Sequence, residues 1–298
     1  STAIDAWAKQ GRVDRVEQLL QDMHAAYKDV GLEQLKPNLP AFNGLLVALA
    51  RAGEMDRAES MLQQMEDLHD AGELEEPPGV ISYSTVLDAF AKSKERGSAS
   101  RAETILRQMK HRGVEANVIS WNSVIDAYSK EKNPERAEAL LNEMNDEYLK
   151  GNHSFKPTMR TYSVVLSGWS DTRSPKSGER AESLLHHMKN LADADELEPL
   201  DVVVYNSVLA CWAKSSFKGA ALRAKDFLEK TMIARDGMKP DTYSYNTVMS
   251  ALVRVGHIGE AESMLDSMRE NGVQPDITTY NTILYAWVNS DARNAAVR

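Results

Sequence analysis

The sequence predicts an all-α fold, a solenoid of tandem helix–turn–helix units, on three observations. A phrase made of an aromatic, a polar residue and an apolar run recurs along the whole chain. A second phrase, of the form Ala-Glu-x-x-Leu-x-x-Met, follows most copies of the first. A short polar stretch, often containing Pro, closes each pair. Internal repetition at a period near 40 residues is the signature of a repeat array.

The copies follow in order. The first is truncated: "STAIDAWAKQG" places Ser1 at the polar position, and "VEQLLQDM" from Val16 is its second phrase. Then come Phe42-Asn43 with "AESMLQQM" from Ala58, Tyr83-Ser84 with "AETILRQM" from Ala102, and Trp121-Asn122 with "AEALLNEM" from Ala137. Tyr162-Ser163 with "AESLLHHM" from Ala181 and Tyr205-Asn206 with the looser "AKDFLEKTM" from Ala224 continue the series. Tyr245-Asn246 with "AESMLDSM" from Ala261 is the cleanest copy, and Tyr280-Asn281 opens a last, incomplete one. Each first phrase has apolar residues at helical spacing, as in Val248, Met249, Leu252 and Val253, and ends near a turn residue such as Gly256. Each second phrase puts Ala, Leu and Met on one stripe. Pro240 and Pro275 bias the residue before them to extended geometry and so stop the second helix. A two-helix unit cannot bury its apolar face alone, whereas stacked neighbours can.

Read this way, residues 1–298 form a single array. Its approximate repeats are 1–38, 39–79, 80–117, 118–158, 159–201, 202–241, 242–276 and 277–298. Steps between polar residues run 42, 41, 38, 41, 43, 40 and 35, with the extra residues in turns and at the ends of second helices. Both places are edges of a solenoid and tolerate insertion. The chain starts inside a helical phrase and stops after a first phrase, so it is expected to be a fragment with any targeting segment outside it.

Composition excludes several classes. No apolar run approaches the roughly 20 residues of a membrane span, and the single Cys211 permits no internal disulfide and reads as a core residue. There is no Gly-rich phosphate loop, no Cys pair and no His-Glu-x-x-His spacing. His186-His187 are adjacent and point to different sides of a helix. The chain is therefore read as a non-enzyme, with no metal and no cofactor. The net charge of −9 is local in origin. Six acids lie between Glu66 and Glu76 and five between Asp193 and Asp201, without Lys or Arg. Setting those eleven aside leaves 33 acids against 35 bases. The acidic stretches are read as edge inserts.

The copies resemble pentatricopeptide repeats, most clearly over Thr242–Asp276, "TYSYNTVMSALVRVGHIGEAESMLDSMRENGVQPD", and over essentially the whole chain. The resemblance implies a right-handed superhelical α-solenoid that binds single-stranded RNA, one base per repeat, with two or three side chains reading each base. It implies an organellar role in RNA processing, stability or translation, in mitochondrion or chloroplast, for a monomer that touches no membrane and admits other RNA-processing proteins as partners. The alternative is a helical protein-interaction scaffold without RNA readout.

Site residues follow from helical geometry and from the resemblance together. At about 100° per residue, three places share an arc of roughly 80° on the first helix. These are the residue three before the polar one, the polar residue itself, and the residue eight after it. The polar places are Ser1, Asn43, Ser84, Asn122, Ser163, Asn206, Asn246 and Asn281, and the aromatics before them lie outside the arc and read as packing. Eight residues on stand Lys9, Arg51, Lys92, Lys130, Asp171, Lys214, Arg254 and Asn289, six of them cations expected to track phosphates. The competing reading is that bases late in a helix offset its macrodipole. The resemblance implies a second reader at the end of each repeat: Asn38, Gly79, Asn117, Thr158, Asp201, Asp241 and Asp276, of which Gly79 has no side chain to read with. It also implies a base-sandwiching aliphatic residue, filled by Ile81, Ile119 and Val203. Pro40, Arg160, Tyr243 and Thr278 depart from that pattern, Arg160 and Tyr243 keeping side chains able to stack on a base.

Overall fold

The computed structural model describes residues 2–297 apart from 33, 34 and 94; the side chains of residues 2, 5 and 289–297 are also outside the described set. Ser1 and the Asn289 side chain therefore lie outside the described residues. Among the described residues the regular elements are helical: α1 (Thr2–Ala8), α2 (Val13–Val30), α3 (Leu39–Ala52), α4 (Met55–Asp70), α5 (Val80–Lys92), α6 (Ser98–His111), α7 (Val118–Lys130), α8 (Pro134–Leu149), α9 (Met159–Thr172), α10 (Ser177–Asp193), α11 (Val202–Lys214), α12 (Ala220–Asp226), α13 (Thr242–Val255), α14 (Ile258–Glu270) and α15 (Ile277–Val297). A 3₁₀ turn at His153–Phe155 and a π-helix at Phe227–Arg235 complete the list. Among the described residues no helix is long and apolar enough to cross a membrane.

The chain divides into two compact units, Ser1–Pro157 and Thr158–Arg298. In the first, α1, α3, α5 and α7 pack against one another in sequence order; each also packs on the second helix of its own repeat, and α3, α5 and α7 on that of the repeat before. In the second, α9, α11, α13 and α15 repeat the same arrangement. Both units are thus layers of first helices backed by second helices, as the two-phrase pattern predicts. The recurring residues explain the packing. Ala58, Ala102 and Ala137, and in the other unit Ala181, Ala224 and Ala261, are wholly buried, letting helices approach closely, and the Met that ends the same phrase is buried beside each of them. Two glycines allow still closer approach: a Cβ on Gly44 would meet Ile4 at 2.1 Å and one on Gly178 would meet Trp212 at 2.0 Å.

The looser copy has a physical resolution. "AKDFLEKTM" carries one residue more between its Ala and Met than the other copies. The helix absorbs it as π geometry over Phe227–Arg235, and both Ala224 and Met232 stay fully buried. In α15 the repeat pattern persists without a following second helix. Tyr280, Leu284 and Trp287 are exposed, although the matching Tyr245, Met249 and Leu252 of α13 are buried, α13 being backed by α14.

Two sequence expectations are revised or filled in. Glu66 is not an edge-insert acid: it lies within α4, is 2% exposed, and accepts hydrogen bonds from Tyr83 Oη and, at 2.8 Å, from Gln108 Nε2. Arg112 pairs with it at 3.1 Å, so the carboxylate is compensated inside the helix layer. Cys211 is fully buried with Sγ 3.4 Å from the Leu166 carbonyl, and burial pushes its thiol up to about 12.

Candidate nucleic-acid interface

Every described polar reader occupies the fifth residue of a first helix: Asn43 in α3, Ser84 in α5, Asn122 in α7, Ser163 in α9, Asn206 in α11, Asn246 in α13 and Asn281 in α15. The aromatics that precede them turn inward. Tyr83, Trp121, Tyr162, Tyr205 and Tyr245 are 5% exposed or less, while Phe42 is half-buried and Tyr280 exposed. Burial pushes the phenols of Tyr83, Tyr205 and Tyr245 up, and neighbouring groups occupy their hydroxyls: Tyr83 donates to Glu66, Tyr205 to Asp236 at 3.0 Å and Tyr245 to the Ser267 carbonyl at 3.4 Å. These aromatics therefore pack the helices.

The residues three before the reader turn outward. Ile81, Ile119, Val203 and Tyr243 are 68%, 63%, 59% and 58% exposed, unusual for apolar side chains in otherwise well-packed helices. In the first unit, Arg51, Ser84, Lys92 and Ile119 line one groove of about 890 Å³ between successive first helices. In the second, Val203, Asn206, Lys214, Asp241 and Tyr243 line another of about 400 Å³. The latter groove brings together one reader, its repeat-end partner, a cation and two exposed apolar side chains.

The repeat-end residues have a local role: they are the N-caps of the next first helix. Asn38 accepts from Ala41 N at 3.2 Å, Asn117 from Ser120 N at 3.0 Å, and Asp201 from Val203 and Val204 N at 3.0 and 3.2 Å. Asp241 and Asp276 accept from Ser244 N and Thr279 N, each at 2.8 Å. Thr158 forms a capping box with Thr161, and Gly79 caps without a side chain. Capping thus falls to the second readers and not to the first.

Two pairs of readers meet. Asn206 Nδ2 donates to both carboxylate oxygens of Asp241 at 3.2 Å, and Asn246 Nδ2 donates to Asp276 Oδ1 at 3.1 Å. Burial pushes the Asp241 carboxyl up, but hydrogen bonds from Ser244 and Asn206 outweigh it and hold the group below its ordinary value. Hydrogen bonds from Thr279 and Asn246 hold Asp276 low as well. The serine readers behave differently: Ser84 and Ser163 donate to the backbone of their own helices, at Ile81 O (3.3 Å) and Met159 O (2.9 Å). Asn122 Oδ1 is buried without a hydrogen-bond partner.

Sequence reasoning missed two features. Hydroxyls at the third residue of first helices reach the Asn readers: Ser82 Oγ donates to Asn43 Oδ1 at 2.7 Å, Ser244 Oγ to Asn206 Oδ1 at 2.6 Å, and Thr279 Oγ1 to Asn246 Oδ1 at 2.7 Å. Their signal was the recurrent Ser or Thr before the aromatic. The second is that the cations are engaged. Arg51 donates to the Lys9 carbonyl at 2.8 Å, Lys130 to the Ala91 carbonyl at 2.7 Å, and Arg254 to the Ala213 carbonyl, all near the C-terminus of the preceding first helix. Lys92 and Lys130 also pair with Asp88 and Asp126, and Lys214 pairs with Asp171 at 3.2 Å. Asp88 and Asp126, four residues before their lysines, were legible as i,i+4 partners. Lys9 is exposed.

Comparison with known proteins was made against this geometry. A PPR repeat family model matches residues 116–171 and 240–289, and a PPR repeat model matches residues 1–26 and 40–69, together a little over half of the chain. A pentatricopeptide repeat-containing protein of Arabidopsis thaliana is 25% identical over 190 residues, covering 64% of this chain and 30% of that protein. A mitochondrial one from the same plant is 29% identical over 112 residues, 37% of this chain and 17% of that one. The crystal structure of the maize pentatricopeptide repeat protein PPR10 superposes with a TM-score of 0.63 at 24% identity, covering 95% of this chain and 36% of that chain. The chain thus spans about a third of the length of such relatives. Stacked helix pairs, readers at one helical place and these matches agree: the chain belongs to the pentatricopeptide-repeat family.

Proposed function

We propose that the chain binds single-stranded RNA, one base per repeat, in organellar RNA processing, stability or translation. Pentatricopeptide repeats as a class read one base with two or three side chains. Relatives that carry mitochondrial and chloroplastic labels support the organellar assignment. The observation that carries the reading is the pairing of Asn206 with Asp241 and of Asn246 with Asp276. In each, two residues singled out as readers of the same base converge from successive first helices.

With the strand running 5′ to 3′ along the repeats, Ser1/Asn38 and Ser84/Asn117 take A, Ser163/Asp201 takes G, and Asn206/Asp241 and Asn246/Asp276 take U. Asn43, Asn122 and Asn281 take a pyrimidine, which gives A-Y-A-Y-G-U-U-Y. Arg51, Lys92, Lys130, Lys214, Arg254 and Lys9 follow the phosphates, and Ile81, Ile119, Val203 and Tyr243 stack on bases. Selection of bound RNA from a random pool tests the register, with G-U-U as its firmest part. Asp241→Asn is expected to move the base at Asn206 from U towards C by about 1–3 kcal/mol of discrimination, the size of a good contact at a DNA base edge. A pool without preference at G-U-U, or a substitution that weakens every RNA equally, removes this code.

One observation favours the second reading, a protein-interaction scaffold. Arg51, Lys130 and Arg254 reach carbonyls near the end of the preceding helix, the geometry expected of cations that offset the macrodipole. The converging Asn–Asp pairs have no explanation in that reading, so RNA is preferred.

A further inference from the structure

We propose that Ser244 and Thr279 are specificity-determining positioning residues: each fixes which end of a reader amide faces the base, and so makes its repeat distinguish U from C. The proposal rests on the base-reading function above and adds a third residue to each pocket.

An Asn side chain has two ends of nearly the same shape, one donating and one accepting. Two constraints orient Asn206. The Asp241 carboxylate only accepts, and it lies 3.2 Å from Asn206 Nδ2 through both oxygens, so the NH₂ end must face it. Ser244 Oγ, wholly buried, accepts from Asp241 N at 3.1 Å and has one hydrogen to give. That hydrogen lies between Asn206 Oδ1 at 2.6 Å and Asp241 Oδ1 at 2.9 Å, and both are acceptors. The acid fixes the NH₂ end, so the carbonyl end meets the hydroxyl, which reinforces that orientation by donating to it. Asn246 is held identically. Asp276 takes its Nδ2 at 3.1 Å, Thr279 Oγ1 gives to its Oδ1 at 2.7 Å, and Asp276 N satisfies Thr279 Oγ1 at 3.1 Å.

The chain's own repeats provide controls. All four Asn readers that precede another repeat are followed by a hydroxyl at the third residue of the next first helix: Ser82, Thr161, Ser244 and Thr279. Ser163 is followed there by Val204 and Ser1 by Ala41, whereas Ser84 is followed by Ser120 and donates to its own helix instead. Where the acid is missing, the lock is incomplete. Asn43 meets Ser82 at 2.7 Å, but its repeat ends in Gly79, so nothing forbids the amide from turning over. U and C present opposite donor and acceptor groups at ring positions 3 and 4. A reader free to turn over serves both, and a locked one serves one.

The test compares short single-stranded RNAs that carry the A-Y-A-Y-G-U-U-Y core with U or C at the Asn206 register, and separately at the Asn246 register. Ser244→Ala should lower the U-over-C ratio about fivefold, the worth of one hydrogen bond, at the Asn206 register alone. Ser244→Thr should restore it, and Thr279→Val should act only at the Asn246 register. An unchanged ratio in Ser244→Ala, or an equal loss at all registers, overturns the proposal. Hydrogen exchange of the Asn206 side-chain amide in the RNA-free protein is the second arm: it should quicken in Ser244→Ala, and unchanged exchange also overturns the lock. Should the intact chain show no U or C preference at all, base reading falls, and the exchange arm alone decides whether the amide is held.

Discussion

The reader amides of the two units are held differently. In the second unit Asn206 and Asn246 are gripped at both ends, by an acid at Nδ2 and by a hydroxyl at Oδ1. In the first, Asn43 meets a hydroxyl at Oδ1 but its repeat ends in a glycine, and the Asn122 carbonyl oxygen has no partner. Helical register is the same throughout, so the fifth helical place alone does not fix how the amide is held. In the proposed code, the residue that ends the repeat and the hydroxyl three residues after it together close a pocket. The cations differ in a parallel way: in the first unit Lys92 and Lys130 pair with acids of their own helices, while in the second Lys214 pairs across helices with Asp171.

The largest expected effect breaks the comparison at the level of total affinity. Six phosphate contacts to a single strand predict a slope of log affinity against log salt of roughly −4. Changing Lys92, Lys130, Lys214 and Arg254 to Ala should weaken all RNAs alike and flatten that slope by about 3, read from filter binding or anisotropy at several salt concentrations. Retained affinity with a lowered melting temperature would assign Lys130 and Arg254 to the carbonyls of the preceding helices and Lys92 and Lys214 to their acids, and withdraw the phosphate ladder in both units.

Next in size is an attempt to give the first unit a pocket of the second kind. Gly79 has φ −106°, an extended conformation open to any residue, and a Cβ placed there meets nothing within 4 Å. Gly79→Asp should therefore fold without strain, supply the missing acid beside Asn43 and Ser82, and convert an unselective pyrimidine register to U by about 1–3 kcal/mol. Selection of bound RNA should show the change at that register alone. If the Asn43 register stays indifferent, acid and hydroxyl together do not suffice.

How much of this was legible beforehand follows from which forces are periodic. The helix pairs and the buried aromatics were readable, because burial imposes a 3.6-residue period that the sequence records directly; the outward Ile81, Ile119 and Val203 followed from the family resemblance. The π segment was visible only as one surplus residue in "AKDFLEKTM"; where a helix places an insertion is decided by keeping Ala224 and Met232 in the core. The Ser82, Ser244 and Thr279 contacts were not read, since they join residues 33 to 39 apart and depend on how successive first helices stack. Glu66 was misassigned for the same reason: its compensation comes from Tyr83 of α5, Gln108 of α6 and Arg112, which ends α6, and sequence shows only a run of acids.

The smallest expected effect separates capping from reading in the first unit. Asn117 caps α7 through Ser120 N and, in the proposed code, also reads A together with Ser84. Removing a cap costs about 1 kcal/mol, whereas Asn and Asp are nearly equivalent as caps and Gly is only a few tenths worse. Asn117→Ala should therefore lower the melting temperature by about 2 °C, and Asn117→Asp should leave it within error. The two variants should differ again on RNA. Asn117→Asp creates the same residue pair as Ser163/Asp201 and should move that register from A towards G, while Asn117→Ala should simply lose the preference. Gly79, a cap without a side chain in the same unit, shows that a first helix starts properly without this hydrogen bond. A stability loss in the Ala variant without any change of base preference would leave Asn117 as a cap and nothing more.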